Sequence, residues 1–194
     1  PDWLRLDSPT QTPGNDIVNV DKSNVHDHPM LSLENTYNED DVTKWYQKME
    51  EVTGPNPEVV VECKFDGTSA SIHFSHGRVI KALTRGSGIV GEDITTNVLN
   101  MSEFHHVKST FNGECRGEMI MSKDEFKRLN QDNKYANARN LTSGTIKLLD
   151  VEEFKKRNLW FYAYWLEGSK NLRHSDDLEL LKKMGFRTGK YYLC

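Results

Sequence analysis

The chain has 194 residues, 36% of them hydrophobic and 10% aromatic, which is enough for one globular domain with its own core. Its formal net charge of −4 excludes a globally basic nucleic-acid-binding surface, so any polyanion site must be a local basic patch. The sequence contains no apolar run as long as a membrane span, and no membrane partner is expected.

Three cysteines, Cys63, Cys115 and Cys194, are widely spaced and odd in number. This pattern predicts neither a disulfide framework nor a zinc site, and it favours a reducing cytoplasmic setting. The chain begins at Pro1 without a signal-peptide pattern, so we expect an excised or processed piece. Residues 1–30 read as an extended lead-in or linker, because prolines and a glycine interrupt a polar sequence there.

The first regular element is a helix that starts after Asn38, because three acidic residues follow and acids stabilise a helix N-terminus. The residues expected to form its apolar face are Val42, Trp45, Tyr46 and Met49.

Strands are predicted at about 58–64, 69–74 and 78–85. His76 and Gly77 predict a tight turn between the second and third strands, which implies antiparallel pairing.

The first strand leads into Lys-Phe-Asp-Gly-Thr at 64–68, which joins a lysine nucleophile to a nearby carboxylate. An amine attacks phosphorus only when neutral, so Lys64 requires surroundings that disfavour its ammonium form. We expect the β-branched strand to deliver Lys64 from the interior into a cleft, with Asp66 beside it. Gly67 would leave room for a ligand.

A glycine-rich turn follows at 84–93 and contains a literal G-x-G-x-x-G. The context argues against dinucleotide binding of the Rossmann type, since the preceding strand belongs to a hairpin and the following stretch is short and polar. The segment is better interpreted as a flexible turn that places Arg85 near a phosphate or a ribose.

A further strand at about 114–121 carries Arg116 and Glu118 within apolar sequence. Buried charge is costly unless it is paired or functional. Glu118 would therefore accept a ribose hydroxyl or help to hold a metal ion, or else the two residues form a simple ion pair on an edge strand.

Helices are predicted at about 123–130, opened by a capping box, and at about 138–149. Arg139 and Lys147 are eight positions apart, so one continuous helix places them on nearly the same face. This face is a candidate contact surface for a phosphate backbone, and a solvated helix with scattered charge is the alternative.

An aromatic strand is predicted at about 159–166, with Tyr162 and Tyr164 on one face and Phe161 and Trp165 on the other. The last helix starts at Ser175, and the strand expected at 187–193 would enter a part of the fold that the chain lacks. The fold class is α+β, built on antiparallel sheet with flanking helices.

Taken in order, these segments resemble the adenylation domain of bacterial-type NAD+-dependent DNA ligases, over nearly the whole chain. The matching positions are 8–11, 28–35, 62–67, 84–86, 91–95, Asn97, 116–118, 136–137, 139–140, 143–144 and 149–150. The resemblance implies an incomplete antiparallel-sheet nucleotidyltransferase core, with a partial adenylation domain at 31–194.

The resemblance also implies a reaction sequence. Lys64 attacks the α-phosphate of NAD+ and expels nicotinamide mononucleotide, with Asp66 as the nearby catalytic carboxylate. AMP then passes to a DNA 5′-phosphate, and a 3′-hydroxyl displaces AMP to seal the nick. Mg2+ assists by neutralising developing charge.

Position by position, the resemblance implies further roles. Glu62 meets the adenine, Arg85 and Glu118 meet the ribose and its surroundings, and Tyr164 stacks on the purine. The expected pocket lining is Ser32 and Leu33, and the DNA-contacting residues are Arg139 and Lys147. The implied partner is nicked duplex DNA, in replication and repair, at a cytoplasmic, nucleoid-associated location.

Three positions depart from the family pattern, with Ser87 for aspartate, Ala138 for proline and Lys147 for arginine. Lysine keeps the charge but loses the bidentate fork for phosphate. The family also has an upstream module for the nicotinamide mononucleotide half and two downstream lysine motifs. We therefore expect this piece alone to be weak or inactive, and other ligase segments or subunits are candidate partners in trans.

Two other interpretations remain open at this stage. In the first, the chain is a non-catalytic fragment that binds a nucleotide or a partner, such as one subunit of a split ligase. In the second, it is a relative of these ligases that uses ATP or GTP. The segments at 85–95 and 8–11 argue against the second, because they resemble the NAD+-dependent type.

Overall fold

The computed structural model describes residues 24–108, 110–171 and 173–194. The predicted motif at 8–11 and most of the predicted lead-in lie outside these residues. In the described part the helices are α1 (Glu39–Thr53), α2 (Thr95–Leu99), α3 (Lys123–Leu129), α4 (Ala138–Ile146), α5 (Val151–Lys155) and α6 (His174–Met184), with a 3-10 helix at Ser102–His106.

The strands are β1 (Val60–Glu62), β2 (Thr68–Ser75), β3 (Arg78–Thr84), β4 (Gly113–Ile120), β5 (Trp160–Leu166), β6 (Arg187–Thr188) and β7 (Tyr191–Leu193). A five-stranded sheet has the order β3-β2-β4-β5-β6, and β1 pairs with β7 in a separate two-stranded sheet. Every pairing is antiparallel except that of β5 with β6. The predicted α+β class with antiparallel sheet is confirmed.

Local signals in the sequence located most of these elements. The hairpin between β2 and β3 turns at His76 and Gly77, both with positive φ, as predicted. The Ser122 hydroxyl caps α3 by accepting a hydrogen bond from the Glu125 amide at 3.1 Å. Gly185 ends α6 in the left-handed conformation that favours glycine. The predictions omitted α2, α5 and the 3-10 helix, which are only five residues each.

The strand predicted at about 58–64 is present as the shorter β1, whereas the prediction that the strand at 187–193 enters a part of the fold that the chain lacks was wrong. β1 is three residues long and pairs with β7 outside the main sheet, and Val61 is 49% exposed. Residues 187–193 form two short strands around Gly189, one parallel to β5 and the other antiparallel to β1. The C-terminal segment is thus paired within the chain, because separate strands accept β6 and β7.

The core lies on one face of the five-stranded sheet. Along β2, Ala70, Ile72 and Phe74 point into it, and the alternate serines point to the opposite face. α2, α4 and α6 contact β3, β4 and β5 respectively. Each fully buried side chain, such as Ile72 or Leu181, contributes about 1.5–3 kcal/mol.

Helix α1 begins as predicted, since the Asn38 side chain accepts a hydrogen bond from the Asp41 amide at 2.9 Å. The residues of its predicted apolar face do not join the core, because α1 buries no residue against the described part of the chain. Val42 is 49% exposed and Trp45 is 40% exposed.

Candidate active site

A cleft of about 410 Å³ opens on the sheet face opposite the core. Its lining consists of Met30, Leu31, Leu33, Glu62, Cys63, Lys64, Phe65, Ser69, Arg85, Arg116, Glu118, Tyr164, Trp165 and His174. Six of the predicted site residues are therefore together: Leu33, Glu62, Lys64, Arg85, Glu118 and Tyr164. They run from Leu33 to Tyr164, about 130 positions apart in the chain, so only the fold brings them together.

Lys64 lies in the loop after β1 with an exposed side chain on the cleft wall. The expectation that it emerges from the interior was wrong, because β1 is itself a half-exposed strand of the small sheet. The prediction that Gly67 leaves room for a ligand was also wrong. A Cβ there would collide with the Met119 carbonyl and with Ile120, so glycine permits the close approach of β4.

Glu118 ties the lysine loop to the central strand β4. Its Oε1 accepts a hydrogen bond from the Gly67 amide at 3.2 Å, and its Oε2 accepts one from the Ser69 hydroxyl at 2.8 Å. Burial raises the pKa of Glu118, and the bonds from Ser69 and Gly67 and the charge of Lys64 offset part of that rise. A desolvated carboxylate thus faces the same cleft as the lysine.

The alternative of an Arg116–Glu118 pair on an edge strand was wrong. β4 lies between β2 and β5, and Arg116 instead pairs with Glu114 at 2.6 Å and with Glu167 at 3.3 Å. Its Nη1 and Nη2 also donate to the carbonyls of Pro29 and His28, at 3.2 and 2.8 Å. Arg116 therefore fastens an N-terminal segment to the sheet.

That segment, residues 24–31, is here called the strap. Its backbone also bonds to the glycine-rich turn, through the His26 amide to the Ile89 carbonyl (2.9 Å) and the Met30 amide to the Gly88 carbonyl (2.8 Å). Gly88 has φ of 93°, and a Cβ there would come within 2.9 Å of the Met30 carbonyl oxygen. The strap thereby holds Met30 and Leu31 as one wall of the cleft.

Arg85 projects from the glycine-rich turn into the cleft. Its Nη1 donates to the Ser32 hydroxyl at 3.3 Å, so Ser32 contacts a cleft residue while lying outside the lining itself. The prediction against a Rossmann site is confirmed, because β3 is antiparallel to β2 and the next helix, α2, has only five residues.

The aromatic strand β5 contains a bulge that strict alternation did not predict. Arg116 pairs with Trp165 and Gly117 with Ala163, which leaves Tyr164 without a partner in the ladder. Tyr164 and Trp165 therefore both line the cleft, and the prediction that Trp165 shares the face of Phe161 was wrong. Burial, and then the nearby Glu118 charge, raise the pKa of Tyr164.

His174 is a cleft residue that sequence reasoning missed. Its Nε2 lies 2.7 Å from Oε2 of Glu62, and its ring centroid lies 6.0 Å from that of Trp165. The hydrogen bond to Glu62 raises the pKa of His174, and burial opposes that rise. No pattern in the sequence links these residues, although His174 directly precedes the predicted start of the last helix.

A second, polar groove of about 250 Å³ adjoins the cleft. Its lining is Gly67, Thr68, Ser69, Thr84, Arg85, Gly86, Glu92, Arg139, Asn140, Ser143 and Lys147. Helix α4 ends at Ile146 rather than 149, yet Arg139 and Lys147 still face this one groove, as predicted. Arg139 contacts Asp66 at 3.4 Å, and Lys147 pairs with Glu92.

Side chains suited to holding a metal ion are sparse in the described ranges, 24–108, 110–171 and 173–194. These ranges contain no cluster of three or more His, Cys, Asp or Glu side chains arranged around a common point. Glu118 lines the cleft and Asp66 lies in the lysine loop itself, which suits an ion that takes one or two protein carboxylates and most of its ligands from phosphate and water.

None of the helices in residues 24–108, 110–171 and 173–194 combines the length and apolarity needed to cross a bilayer.

Comparison with known proteins identifies the family. The family model described as NAD-dependent DNA ligase adenylation domain matches residues 19–193. A DNA ligase of Chlorobium phaeovibrioides is 39% identical, over 100% of this chain and 32% of that protein. A DNA ligase of Prosthecochloris aestuarii is 36% identical, over 99% of this chain and 32% of that protein.

Among solved structures, the ligase domain of M. tuberculosis LigD superposes with a TM-score of 0.43 and 15% identity, over 69% of this chain and 39% of that one. The chain spans about a third of the length of the curated relatives it matches. By the family match over residues 19–193 and the identity to these ligases, the chain belongs to the NAD-dependent DNA ligase adenylation domain family.

Proposed function

We propose that the chain carries out the adenylation chemistry of an NAD+-dependent DNA ligase. The observation that carries this proposal is the convergence of Lys64, Glu118 and Arg85 on one cleft with the aromatic side chain of Tyr164. A nucleophile, a carboxylate, a cation and a ring are what binding and attack on an adenine dinucleotide require. Family membership supplies the reaction in which such a cleft acts.

In the first step, Lys64 Nζ forms a bond to the α-phosphorus of NAD+ as the phosphoanhydride bond to nicotinamide mononucleotide breaks. The ammonium group gives up one proton to solvent before the attack and a second as the N–P bond forms, and the phosphate oxygen of nicotinamide mononucleotide takes the electron pair of the broken bond. We propose Asp66 as the catalytic carboxylate close to this lysine. Its Oδ1 lies 3.4 Å from Nη1 of Arg139, which lines the adjoining groove.

The other cleft residues orient the nucleotide. We propose that Tyr164 stacks on the purine, that Glu62 meets its polar edge, and that Arg85 and Glu118 contact the ribose and its surroundings. Leu33 and Ser32 complete the pocket, the first as apolar lining and the second through its bond to Arg85. Orientation matters because it removes the entropy of bringing lysine and phosphorus together.

Mg2+ would neutralise charge on the phosphates when bound. We propose that Glu118 and Asp66 are the carboxylates that would hold it, with phosphate oxygens and water as its other ligands. The raised pKa of Glu118 supports this assignment, since a desolvated carboxylate gains from a nearby cation.

For the later steps we propose that nicked duplex DNA lies along the polar groove, where Arg139 and Lys147 contact its phosphates. The AMP on Lys64 would pass to the 5′-phosphate, and the 3′-hydroxyl would then displace it to seal the nick. We place this work in replication and repair, at a cytoplasmic and nucleoid-associated location, with residues 31–194 as the adenylation domain.

The proposal is tested by intact mass spectrometry after the chain is incubated with Mg2+ and either NAD+ or ATP. We expect a slow gain of one AMP from NAD+ only, because these residues span about a third of the relatives' length. Lys64→Ala is the control and should gain nothing. A gain from ATP, or a gain in the Lys64→Ala variant, would contradict the proposed chemistry.

The alternative of a fragment that acts with other ligase segments has one observation in its favour. The apolar residues of α1, among them Val42 and Trp45, stay exposed on the described part of the chain. Addition of the missing segments as a second polypeptide is the test. Adenylation that appears only in the mixture would support this alternative, and full-rate adenylation by the chain alone would oppose it.

A further inference from the structure

Glu62 and His174 face each other at one end of the cleft. Glu62 is the last residue of β1 and His174 is the first of α6, and both side chains line the cavity. Their side chains retain only 24% and 29% exposure, and the Oε2–Nε2 distance is 2.7 Å. The contact joins two elements that share no backbone pairing, so it is a product of the tertiary fold.

The pairing occupies only part of the Glu62 carboxylate. A carboxylate has two oxygens with about four acceptor sites, and His174 uses Oε2. Within the described ranges, Glu62 makes no other side-chain hydrogen bond, which leaves Oε1 available to a ligand in the cleft. His174 therefore orients the carboxylate without competing for both of its oxygens.

Among the described residues, the ring of His174 makes a hydrogen bond through one of its two nitrogens. Its Nδ1 is buried and has no hydrogen-bond partner among the described residues, so Nε2 carries the polar contact of the ring. The ring lies beside Trp165, which walls the same end of the cleft. A donor held in place by its neighbours limits the rotamers that Glu62 can adopt.

We propose that His174 is a positioning residue that orients Glu62, and that the pair sets the preference of the cleft for a 6-aminopurine over a 6-oxopurine. The inference rests on the proposed function, in which Glu62 meets the purine edge. An ionised carboxylate accepts a hydrogen bond from an exocyclic amino group but repels an oxygen at the same place. Selectivity therefore needs a carboxylate that is both ionised and fixed.

The raised pKa of His174 agrees with this arrangement, because the hydrogen bond to Glu62 favours the charged imidazolium. Loss of the donor would free the Glu62 side chain to turn away from the purine. A freely rotating carboxylate binds the amino group less well and excludes the oxo group less well, so both affinity and selectivity should fall.

The test is equilibrium binding of AMP and of IMP, its 6-oxo analogue, to the whole chain by titration calorimetry. His174→Leu keeps apolar bulk beside Trp165 but removes the donor. We expect it to weaken AMP binding about tenfold and to lower the AMP-to-IMP preference by a similar factor. His174→Gln places an amide nitrogen where Nε2 lay, and we expect it to restore most of both quantities.

The matched control is Arg173→Ala. Arg173 is the neighbouring residue and pairs with Glu58 at 3.3 Å, so this change removes another ion pair between the same two segments outside the cleft. We expect AMP and IMP affinities to stay at their original values. Thermal unfolding of each variant separates loss of folding from loss of orientation.

Should His174→Leu fail to fold, His174→Asn replaces it, because its amide is too short to reach Oε2. An unchanged AMP-to-IMP preference in a folded Leu or Asn variant would overturn the proposal, as would a Gln variant as weak as these. Those outcomes leave AMP binding by the original chain intact. Absence of AMP binding by the original chain would instead overturn the nucleotide site, and this proposal with it.

Discussion

Glu103 shows at the scale of a single residue how burial controls titration far from the cleft. Its Oε1 accepts a hydrogen bond from the Phe161 amide at 2.7 Å, and its nearest cation is Arg187, at 3.8 Å. Burial raises the pKa of this carboxyl to about 7 from the ordinary value of 4.5, against the opposing effects of Phe161 and Arg187. Between pH 4.5 and about 7, Glu103 therefore holds a proton in the folded state that it releases in the unfolded state.

The stability of the protein should therefore fall as pH rises from 4.5 to about 7, by up to about 3 kcal/mol from this one group. Glu103→Gln keeps an acceptor for the Phe161 amide and removes the titration, so its stability should vary less over that range. Chemical unfolding at several pH values measures the difference. Glu152→Gln, which changes an exposed ion pair with Lys155, is the control, and parallel curves for Glu103→Gln and the original chain would contradict the prediction.

Residues of the site differed in how far the sequence predicted them. Lys64 and Glu118 were recognised because each lies in a short motif where a charge follows apolar residues. His174 was missed because its partner Glu62 is 112 positions away and the contact exists only when the first residue of α6 reaches the last residue of β1. Single residues without a local pattern are found only through their neighbours in space.

At the scale of elements, the strap depends on the buried side chain of Arg116. Glu114, its partner, is 6% exposed, and a buried charge that loses its partner costs about 3–5 kcal/mol. We expect Arg116→Met to lower the free energy of unfolding by about this amount and to weaken AMP binding, since the strap loses its bonds at Pro29 and His28. Denaturant unfolding and calorimetry measure the two effects.

Two further variants sharpen that experiment. Lys155→Ala breaks an ion pair on the surface of α5 and should cost no more than about 1 kcal/mol. Adding Glu114→Gln to Arg116→Met should recover part of the lost stability, because the stranded charge is removed. A loss in Arg116→Met no larger than that in Lys155→Ala would show that the Arg116–Glu114 pair contributes little to stability.

Helices and strands were predicted well where nearby residues in the sequence determine them. They were predicted poorly where contact with another strand determines them. The hairpin of β2 and β3 and the caps of α3 and α6 follow from turn and capping residues. The bulge in β5 does not, because it is a shift in register against β4 between Arg116 and Gly117. The alternation of side chains along β5 carries no information on a register shift in its pairing with β4.

For the whole molecule, the net charge of −4 limits how strongly the chain can bind DNA. The groove has three basic side chains, Arg85, Arg139 and Lys147, and the last two are paired with Asp66 and Glu92. DNA must displace those carboxylates, and only a few counterions can be released. The affinity of the chain alone for a nicked duplex should therefore be weak.

We expect a plot of log association constant against log salt concentration to have a slope no steeper than about −3. Arg139→Ala combined with Lys147→Ala should make the slope shallower by about 2. Fluorescence anisotropy with a nicked duplex measures both. Lys123→Ala with Lys127→Ala, on α3 outside the groove, is the matched control, and an equal change there would show that the groove is not the binding surface.

The sequence by itself determined the family and the α+β class and put forward Lys64 as the candidate nucleophile, since these depend on short motifs in a fixed order and on local turn and cap signals. Only the tertiary structure decided that β4 is central, that Tyr164 and Trp165 share the cleft, and that the C-terminal strands pair with β1 and β5. The physical reason is that sheet order, register and side-chain contacts between distant segments are settled by packing, and packing has no local pattern in the chain.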